Sequence, residues 1–397
     1  MTEADTEVAT GTDARLHAVR RVLMISTLWP PVVTGGAELY AYELCRRLTA
    51  SGVEVGVVTA GVRAKEVVAQ VSPWPYHWGE ARSAWRKAVY HSLDTWRPGA
   101  TRTIAQAIRS FRPEVVHSHV ATGLSMAALK VPSALGVAHV HTIHDYWLLC
   151  LRSTLLRSGR ACDSRCGLCR AAEIGKRLAV GGHFAEPVLC VSEAVKAEHE
   201  RLAWLRDRLE VLQLPHDVAE PVPIPGHGPF VFGYIGRLVP EKGLTTLLAA
   251  FKDLGAPHRL VVAGRGPLEA LLATPPPGVE YRGWVVDKSR EDFFRGVHCL
   301  VVPSEWKDPS PLVVHEALGY GLPVIGARIG GLPEIVDPAC RPLLFRSGDA
   351  ANLTAALRAF VAYPGAYVPS RSFGLTWEIH VGAILDAYKR AINAVAA

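Results

Sequence analysis

From Arg21 onward, short runs that are apolar at every position alternate with stretches whose apolar residues recur every three or four positions. A parallel α/β sheet needs this alternation, because its strands are covered on both faces by helices. Arg21–Ser26 reads as a first central strand. After the loop Trp29–Gly36, a helix is predicted from about Ala37 to Ala50, with Tyr40, Ala41, Leu44 and Leu48 as its buried stripe. Gly52 marks its stop, and Val53–Thr59 reads as the second strand. Further strands are predicted at Glu114–His117, Ala138–Thr142 and Val188–Val191. Leu214–Pro229 then holds five prolines and little periodicity, as a linker would. The pattern restarts with strands at Phe230–Tyr234, Arg259–Ala263, Val279–Tyr281, Cys299–Val302 and Pro323–Gly326. A last helix, Thr376–Ala394, is predicted to bury Ile379, Ala383 and Tyr388.

The expected architecture is therefore α/β, with two doubly wound parallel-sheet domains facing a cleft. Residues 20–217 would form the first domain, with a cysteine-rich insertion at 150–170. Residues 218–375 would form the second, and 376–397 a helix that crosses back to the first. A chain of 397 residues is long enough for two such cores. Residues 1–19 carry four acids among Thr and Ala and are expected to be a disordered tail without the features of an export signal. No apolar run approaches the ~18 residues of a membrane span. The expected location is cytoplasmic, with peripheral contact at the inner face of a membrane left open. Lys and Arg outnumber Asp and Glu by 43 to 37, which suits an anionic small ligand and falls short of a nucleic-acid binder.

The chemistry concentrates in the second half. Phe232–Gly243, FGYIGRLVPEKG, runs a strand into a glycine turn and places Arg237 and Lys242 before a helix. Two cations and helix-start amides can bind a diphosphate and stabilise the charge that builds as it leaves. A surface turn with two solvated charges is the plain alternative. Val301–Glu334 adds Asp308 and Glu316, eight residues apart, on either side of a helix start. Pro309 and Pro311 keep Asp308 and Ser310 extended, and the free amides of Leu312 and Val313 would then face an anion. Glu316 can accept bonds from a ribose diol, and Asp308 can grip sugar hydroxyls.

These motifs, with the AGRGP turn Ala263–Pro267, resemble in order and spacing a retaining GT-B glycosyltransferase of family 4, also called group 1. The resemblance runs from about Arg21 to Tyr388. It implies two Rossmann-like domains, a nucleotide sugar as donor substrate, with UDP-hexose favoured, and no cofactor or metal for catalysis. By resemblance, Arg237 and Lys242 serve the diphosphate, Asp308 the donor sugar and Glu316 the ribose. The turns at Gly236 and Gly264 belong to the donor side, and Gly283–Val285, with Trp284 and Val285, is the segment that reads the base. Asp308 stands where the family usually has Glu, so its carboxylate reaches one methylene less far. Pro311 stands where many members have Gly.

In the first domain, Gly35 and Gly36 precede a helix and resemble the family's glycine-rich acceptor-side loop. Histidines follow two strand ends, His117-Ser-His119 and His141-Thr-Ile-His144-Asp145. His119 matches the second histidine of the family's H-x-H element, which lies by the donor sugar, and His144 is a second candidate. Glu193 matches a recurrent family segment or caps a helix. The acceptor, whether glycan, lipid-linked sugar or natural product, is not readable. A sugar-nucleotide epimerase of the same fold and a non-catalytic sugar-binding scaffold are the other readings.

Cys150, Cys162, Cys166 and Cys169 lie within twenty residues. They suit a structural tetrahedral zinc, with free thiols, or disulfide or iron–sulfur chemistry, as the alternatives. Cys45, Cys190, Cys299 and Cys340 read as small core residues. Trp74, Trp78, Trp85 and Trp96 accompany the basic segment His77–Arg112. They would either fill the first-domain core or present aromatic faces to an acceptor or an anionic membrane.

Overall fold

A computed structural model describes residues 19–33, 35–72, 83–157, 159–162 and 164–397. The expected N-terminal tail, apart from its last residue, and Trp74, Trp78 and Arg82 lie outside the described residues.

Two parallel sheets form the frame. The first contains β1 (Arg21–Ile25), β2 (Glu54–Ala60), β3 (Val67–Val71), β4 (Val115–Ser118), β5 (Ala138–Ile143), β6 (Val188–Cys190) and β7 (Leu209–Val211), in the order β3-β2-β1-β4-β5-β6-β7. The second contains β8 (Val231–Ile235), β9 (Arg259–Ala263), β10 (Val279–Tyr281), β11 (Cys299–Val302) and β12 (Val324–Gly326), in the order β10-β9-β8-β11-β12. In both sheets the chain starts at the centre, moves to one edge, then returns to build the other side. Each reversal leaves a crevice at the carboxyl ends of the strands, where doubly wound sheets bind ligands. β1 pairs with both β2 and β4, and β8 with both β9 and β11, so both crevices open beside the first strand of their sheet.

Among the helices are, in chain order, α1 (Gly36–Ala50), α2 (Ala84–Thr95), α3 (Gly167–Val180), α4 (Glu193–His199), α5 (Asp287–Arg295), α6 (Leu312–Gly319) and α7 (Trp377–Ala396). The stripe predicted for α1 is buried as expected, with Tyr40, Ala41, Leu44 and Leu48 each at most 1 % exposed. Burying a Leu this fully contributes about 1.5–3 kcal/mol.

The last helix corrects its prediction. Ile379 is 59 % exposed and Ala383 half-buried, while Trp377, His380, Val381, Ile384, Ala387, Tyr388 and Ala391 form the buried face. That face follows the i, i+3, i+4 spacing one step out of phase with the predicted one. It admits two polar residues because each finds a partner in the first domain. The Tyr388 hydroxyl lies 2.7 Å from His117 Nδ1, and His380 Nε2 lies 2.7 Å from the Tyr40 hydroxyl. Trp377, Val381, Ile384, Tyr388 and Ala391 belong to the same core as α1 and β5, although the chain reaches them from the second domain. The two crossings run side by side, with Pro215–His216 pairing in parallel with Leu375–Thr376.

Candidate functional site

A cleft of about 420 Å³ lies between the two sheets' carboxyl ends, within the ~300–1,000 Å³ usual for small-ligand sites. Its first-domain wall includes Gly35, Gly36, Glu38, His144 and Asp145, and its second-domain wall includes Gly236, Arg237, Lys242, Gly264, Trp284, Val285, Arg290, Asp308, Ser310, Leu312 and Val313.

The second-domain wall is built from strand ends. β8 ends at Ile235 and turns at Gly236; β9 ends at Ala263 and turns at Gly264, whose φ is +143°. A Cβ on Gly264 would stand 1.8 Å from the Gly236 carbonyl oxygen, so only glycine lets these two turns lie against each other. Past the β8 turn, Lys242 reaches Asp308 at 2.5 Å, and Ser304 donates to the same carboxylate at 3.1 Å. The Lys242 ammonium also sits 5.3 Å above the Trp306 ring. The Asp308 residue is 3 % exposed, so its charge is stabilised by these two partners rather than by water. Arg237 lies 3.7 Å from Glu241 and is the more exposed of the two cations.

Pro311, extended at φ −62° and ψ 114°, caps α6. Leu312 and Val313 follow as the first residues of the helix, where backbone amides have no acceptor within the helix. Ser310, beside them, bonds His315 Nε2 at 2.8 Å. Burial holds His315 neutral by lowering its pKa to about 3.

On the first-domain wall, Gly35 donates its amide to the Glu38 carboxylate at 3.0 Å and opens α1. The structure separates the two candidate histidines. His144 lines the cleft, but His119 is 2 % exposed and sits behind it, its Nδ1 3.3 Å from His144 Nε2. His119 borders a small space of about 10 Å³ together with His141, His144 and Asp145. It is held there by ring contacts with His117 and Tyr40. Burial and neighbouring histidines push His117 and His119 well below the usual range, and burial takes His139, His141 and His144 to about 3. All five are therefore neutral near pH 7 and act by hydrogen bonding.

Glu316 also stands back from the cleft. Its carboxylate accepts from Arg290 Nε at 3.0 Å and Nη2 at 2.5 Å, and Arg290 is the member of the pair that lines the wall. Arg290, Asp145, Glu38 and Trp306 were not singled out from the sequence. Glu38 carried a signal, since Gly35 and Glu38 have the spacing of a helix cap and its third residue. Asp145 follows His144 directly; burial pushes it up to about 6, against the amide of Trp147 that donates to it at 2.8 Å.

Contacts across the cleft's edge fix the two walls. Ser192 donates to the Pro309 carbonyl at 2.6 Å, and the Glu334 carboxylate accepts from the amides of Glu193 and Ala194 at 2.6 and 2.8 Å. An acid at the start of α4 suits the helix dipole. Ser192, which also accepts from Val195, is the cap of α4, while Glu193 is exposed in its first turn. Lys307 pairs with Glu198 at 2.6 Å.

Cys166 and Cys169 share a hydrogen bond, with Cys150 close enough to interact with Cys169. Among the described residues no group of three or more His, Cys, Asp or Glu is placed to hold a metal ion. Cys150 and Cys169 are buried in the first-domain core, Cys166 caps α3, and Cys162 ends the small hairpin Leu156–Ala161. Cys45, Cys190, Cys299 and Cys340 are buried, as expected. Of the two alternatives for the tryptophans, Trp85 and Trp96 do not fill the core: they are 60 % and 54 % exposed, with Arg86 and Lys130 over their rings. No helix among the described residues is long and apolar enough to cross a membrane.

Two family models match the two halves in succession. Residues 34–220 match Glycosyltransferase Family 4, and residues 229–362 match Glycosyl transferases group 1. The fold is GT-B, and the chain belongs to the family 4, group 1 glycosyltransferases. Glycogen synthase from Mycobacterium tuberculosis is 26 % identical over 393 residues, covering 87 % of each chain. D-inositol 3-phosphate glycosyltransferase 1 from Catenulispora acidiphila is 26 % identical over 432 residues, covering 96 % of this chain and 98 % of its own. Among solved structures, sucrose-phosphate synthase from Thermosynechococcus elongatus superposes with a TM-score of 0.69 at 18 % identity, covering 94 % of this chain and all of the other. Anabaena HepE in complex with UDP and glucose gives 0.62 at 17 % identity, covering 94 % and 97 %.

Proposed function

We propose that this glycosyltransferase moves a hexosyl unit from UDP-hexose to a hydroxyl of a glycan, lipid-linked or natural-product acceptor, retaining the configuration at the anomeric carbon and using no catalytic metal. One observation carries the reading: Arg237, Lys242 and the first amides of α6 meet in a single cleft with Asp308, opposite Gly36 and His144. The cations and amides would hold the diphosphate, Asp308 the sugar hydroxyls, and the Gly283–Val285 turn the base. The UDP named with HepE supports the choice of donor.

In this mechanism the bond from the anomeric carbon to the β-phosphate oxygen breaks while the acceptor oxygen bonds to the same face. The acceptor's proton passes to an oxygen of the departing diphosphate. The protein contributes orientation and charge stabilisation, with Lys242 and Arg237 offsetting the charge that develops on the phosphates. His144, neutral, supplies a hydrogen bond near the reacting face. Asp145 and Glu38 line the acceptor side.

Release of UDP from UDP-glucose and UDP-galactose, compared with GDP- and TDP-linked sugars, tests the donor. NMR of the product's anomeric proton tests retention. An epimerised sugar nucleotide, or no turnover of any donor, would overturn the transferase reading. The exposed Trp85 and Trp96 beside Arg86 and Lys130 support a second element, peripheral contact with an anionic membrane surface at the cytoplasmic face. Co-sedimentation with anionic vesicles supports it, and salt-insensitive absence of binding removes it.

A further inference from the structure

Cys166 is the cap of α3, and Cys169 sits three residues on, in the helix's first turn. The two differ in their surroundings. Cys166 is partly exposed beside Leu168, which is 75 % exposed, whereas Cys169 is packed into the first-domain core. The Cys169 thiol donates to the Cys166 sulfur, which also accepts from the backbone amides of Leu168 and Cys169. Helix-start amides directed at a sulfur favour its thiolate, the form that attacks disulfides. The pair thus offers an accessible nucleophile and, in contact with it, a sheltered second sulfur. Residues three apart on a helix have Cβ atoms about 5–6 Å apart, and a disulfide needs about 3.5–4.5 Å. The bond closes with a shift of about 1–2 Å.

That shift reaches the cleft. The Cys169 sulfur also accepts from the amide of Leu151 and lies close to Cys150. Cys150 and Leu151 begin the loop that ends at Leu155. In it the Cys150 carbonyl accepts from the Ser153 amide at 3.0 Å, and the Ser153 carbonyl from the Tyr146 amide at 3.2 Å. Ser153 and Leu155 hold left-handed backbone, at φ +58° and +54°, a conformation that a residue with a Cβ keeps only while its surroundings enforce it. Ser153 and Thr154 line the cleft together with His144 and Asp145. Turning the Cys169 sulfur toward Cys166 takes away the acceptor of the Leu151 amide, so the loop loses a tie at its start.

We propose that Cys166 and Cys169 form a reversible disulfide by exchange with a low-molecular-weight disulfide, and that this oxidation loosens the Ser153–Thr154 edge on the acceptor side of the cleft. The name of that edge rests on the transferase reading; the disulfide itself does not. The Cys166 thiolate attacks one sulfur of the small disulfide, whose S–S bond breaks. The first small thiolate leaves and takes up the proton that Cys166 has given to water. In the mixed disulfide, the Cys169 sulfur attacks Cys166 and the mixed bond breaks. The second small thiolate departs and takes up the Cys169 proton. Two protein thiols together lose two electrons, and one small disulfide is reduced to two thiols.

The test equilibrates the full chain in buffers of reduced and oxidised glutathione, quenches with acid, alkylates the free thiols and reads each cysteine by peptide mass spectrometry. Wild type, Cys166→Ser and Cys169→Ser are compared, each checked for folding by circular dichroism and melting temperature. The wild type is expected to gain a Cys166–Cys169 disulfide that dithiothreitol reverses, while Cys45, Cys190, Cys299 and Cys340 remain thiols. Cys169→Ser should trap one glutathione on Cys166, and Cys166→Ser should take up none at Cys169. If Cys169→Ser does not fold, the wild type and Cys166→Ser decide. Amide hydrogen exchange of residues 151–155 should be about threefold or more faster in the oxidised wild type, and unaffected by the same buffer in Cys166→Ser. A Cys166 that stays a thiol in folded protein overturns the proposal. So does a disulfide from either residue to another cysteine, or one bound metal ion per chain that shields both sulfurs from glutathione. Unchanged exchange at residues 151–155 in the oxidised chain overturns the link to the cleft. None of these readouts uses a nucleotide, so a chain that forms the disulfide and binds no UDP would strike the transferase reading and leave the thiol pair standing.

Discussion

Gly36 and Leu312 are each the first residue of a helix, in opposite domains, and a Cβ on Gly36 would lie 3.1 Å from the Leu312 Cβ. The start of α1 thus comes so close to the start of α6 that a Cβ there would be tighter than most such contacts and the neighbour would have to give by a few tenths of an ångström. Leu312 is also where the α6 amides face the cleft, so the glycine sets how closely the first domain can approach the diphosphate position.

Gly36→Ala is accordingly expected to separate stability from turnover. Alanine is a better helix residue than glycine by about 1 kcal/mol, so melting should hold or rise slightly. The added methyl must push the two walls apart by a few tenths of an ångström, and transfer should fall by about tenfold, since misplacements of this order are costly in oriented sites. Melting curves and turnover measured on one preparation check this. Unchanged turnover would show that the approach of α1 to α6 does not matter.

Arg237→Ala, Lys242→Ala and Glu316→Ala are each expected to lower transfer by at least tenfold, about 1.4 kcal/mol of transition-state stabilisation. Lys242→Ala carries a second effect, because it leaves the buried Asp308 carboxylate with Ser304 as its remaining partner. It should therefore also lower stability, by about 1–3 kcal/mol. The double variant Lys242→Ala/Asp308→Asn should recover part of the stability and none of the turnover. Full activity in Lys242→Ala would refute its phosphate role.

The buried histidines give the fold a defined acid sensitivity. His139, His141 and His144 are pushed down to about 3 by burial, against an ordinary value near 6.5. Between those values the unfolded chain binds more protons than the folded one, so stability rises with pH across the window. The stability these groups contribute is fully present above about pH 6.5 and is lost as pH falls from there towards 3. Melting temperature should drop steeply below about pH 6, and His139→Gln should flatten that slope. A melting temperature independent of pH from 7 to 4 would contradict the burial of these groups.

Asp145 predicts a rate effect in the same region. Burial raises it to about 6, so its charged form, able to accept a bond from an acceptor hydroxyl, appears as pH rises through that value. Transfer should rise from pH 5 to pH 7, and Asp145→Asn should remove this rise while leaving nucleotide binding intact. An unchanged pH profile in Asp145→Asn would take Asp145 out of the acceptor side.

Much of the frame was legible because inner parallel strands are apolar on both faces: β9 and β11 fall on their predicted bounds, and the edge strand β10 does too, although it is half-covered and carries Glu280. The edge strands β3 and β7 were missed; they are short and half-covered, and Val67–Val71 alternates half-buried and exposed positions with only Val71 buried. Ile379 was assigned to the core because apolar content alone cannot fix a helix's phase when His380 and Tyr388 are buried through long-range polar partners. In the cleft, the glycine turns, Arg237, Lys242 and Asp308 come from contiguous motifs. Arg290 does not. Its partner lies 26 positions away on another helix, and no local spacing announces such a pair. Sequence put His119 ahead of His144, and packing against Tyr40 and His117 is what holds His119 behind His144.

The central claim is that one cleft holds a nucleoside diphosphate through Arg237, Lys242 and the start of α6. Titration calorimetry of the folded chain against UDP, GDP and ADP tests it most directly. The account predicts saturable binding of at least one of them at one site per chain, weakened about tenfold or more in Lys242→Ala. No heat of association with any of the three, from protein that melts cooperatively, would contradict it.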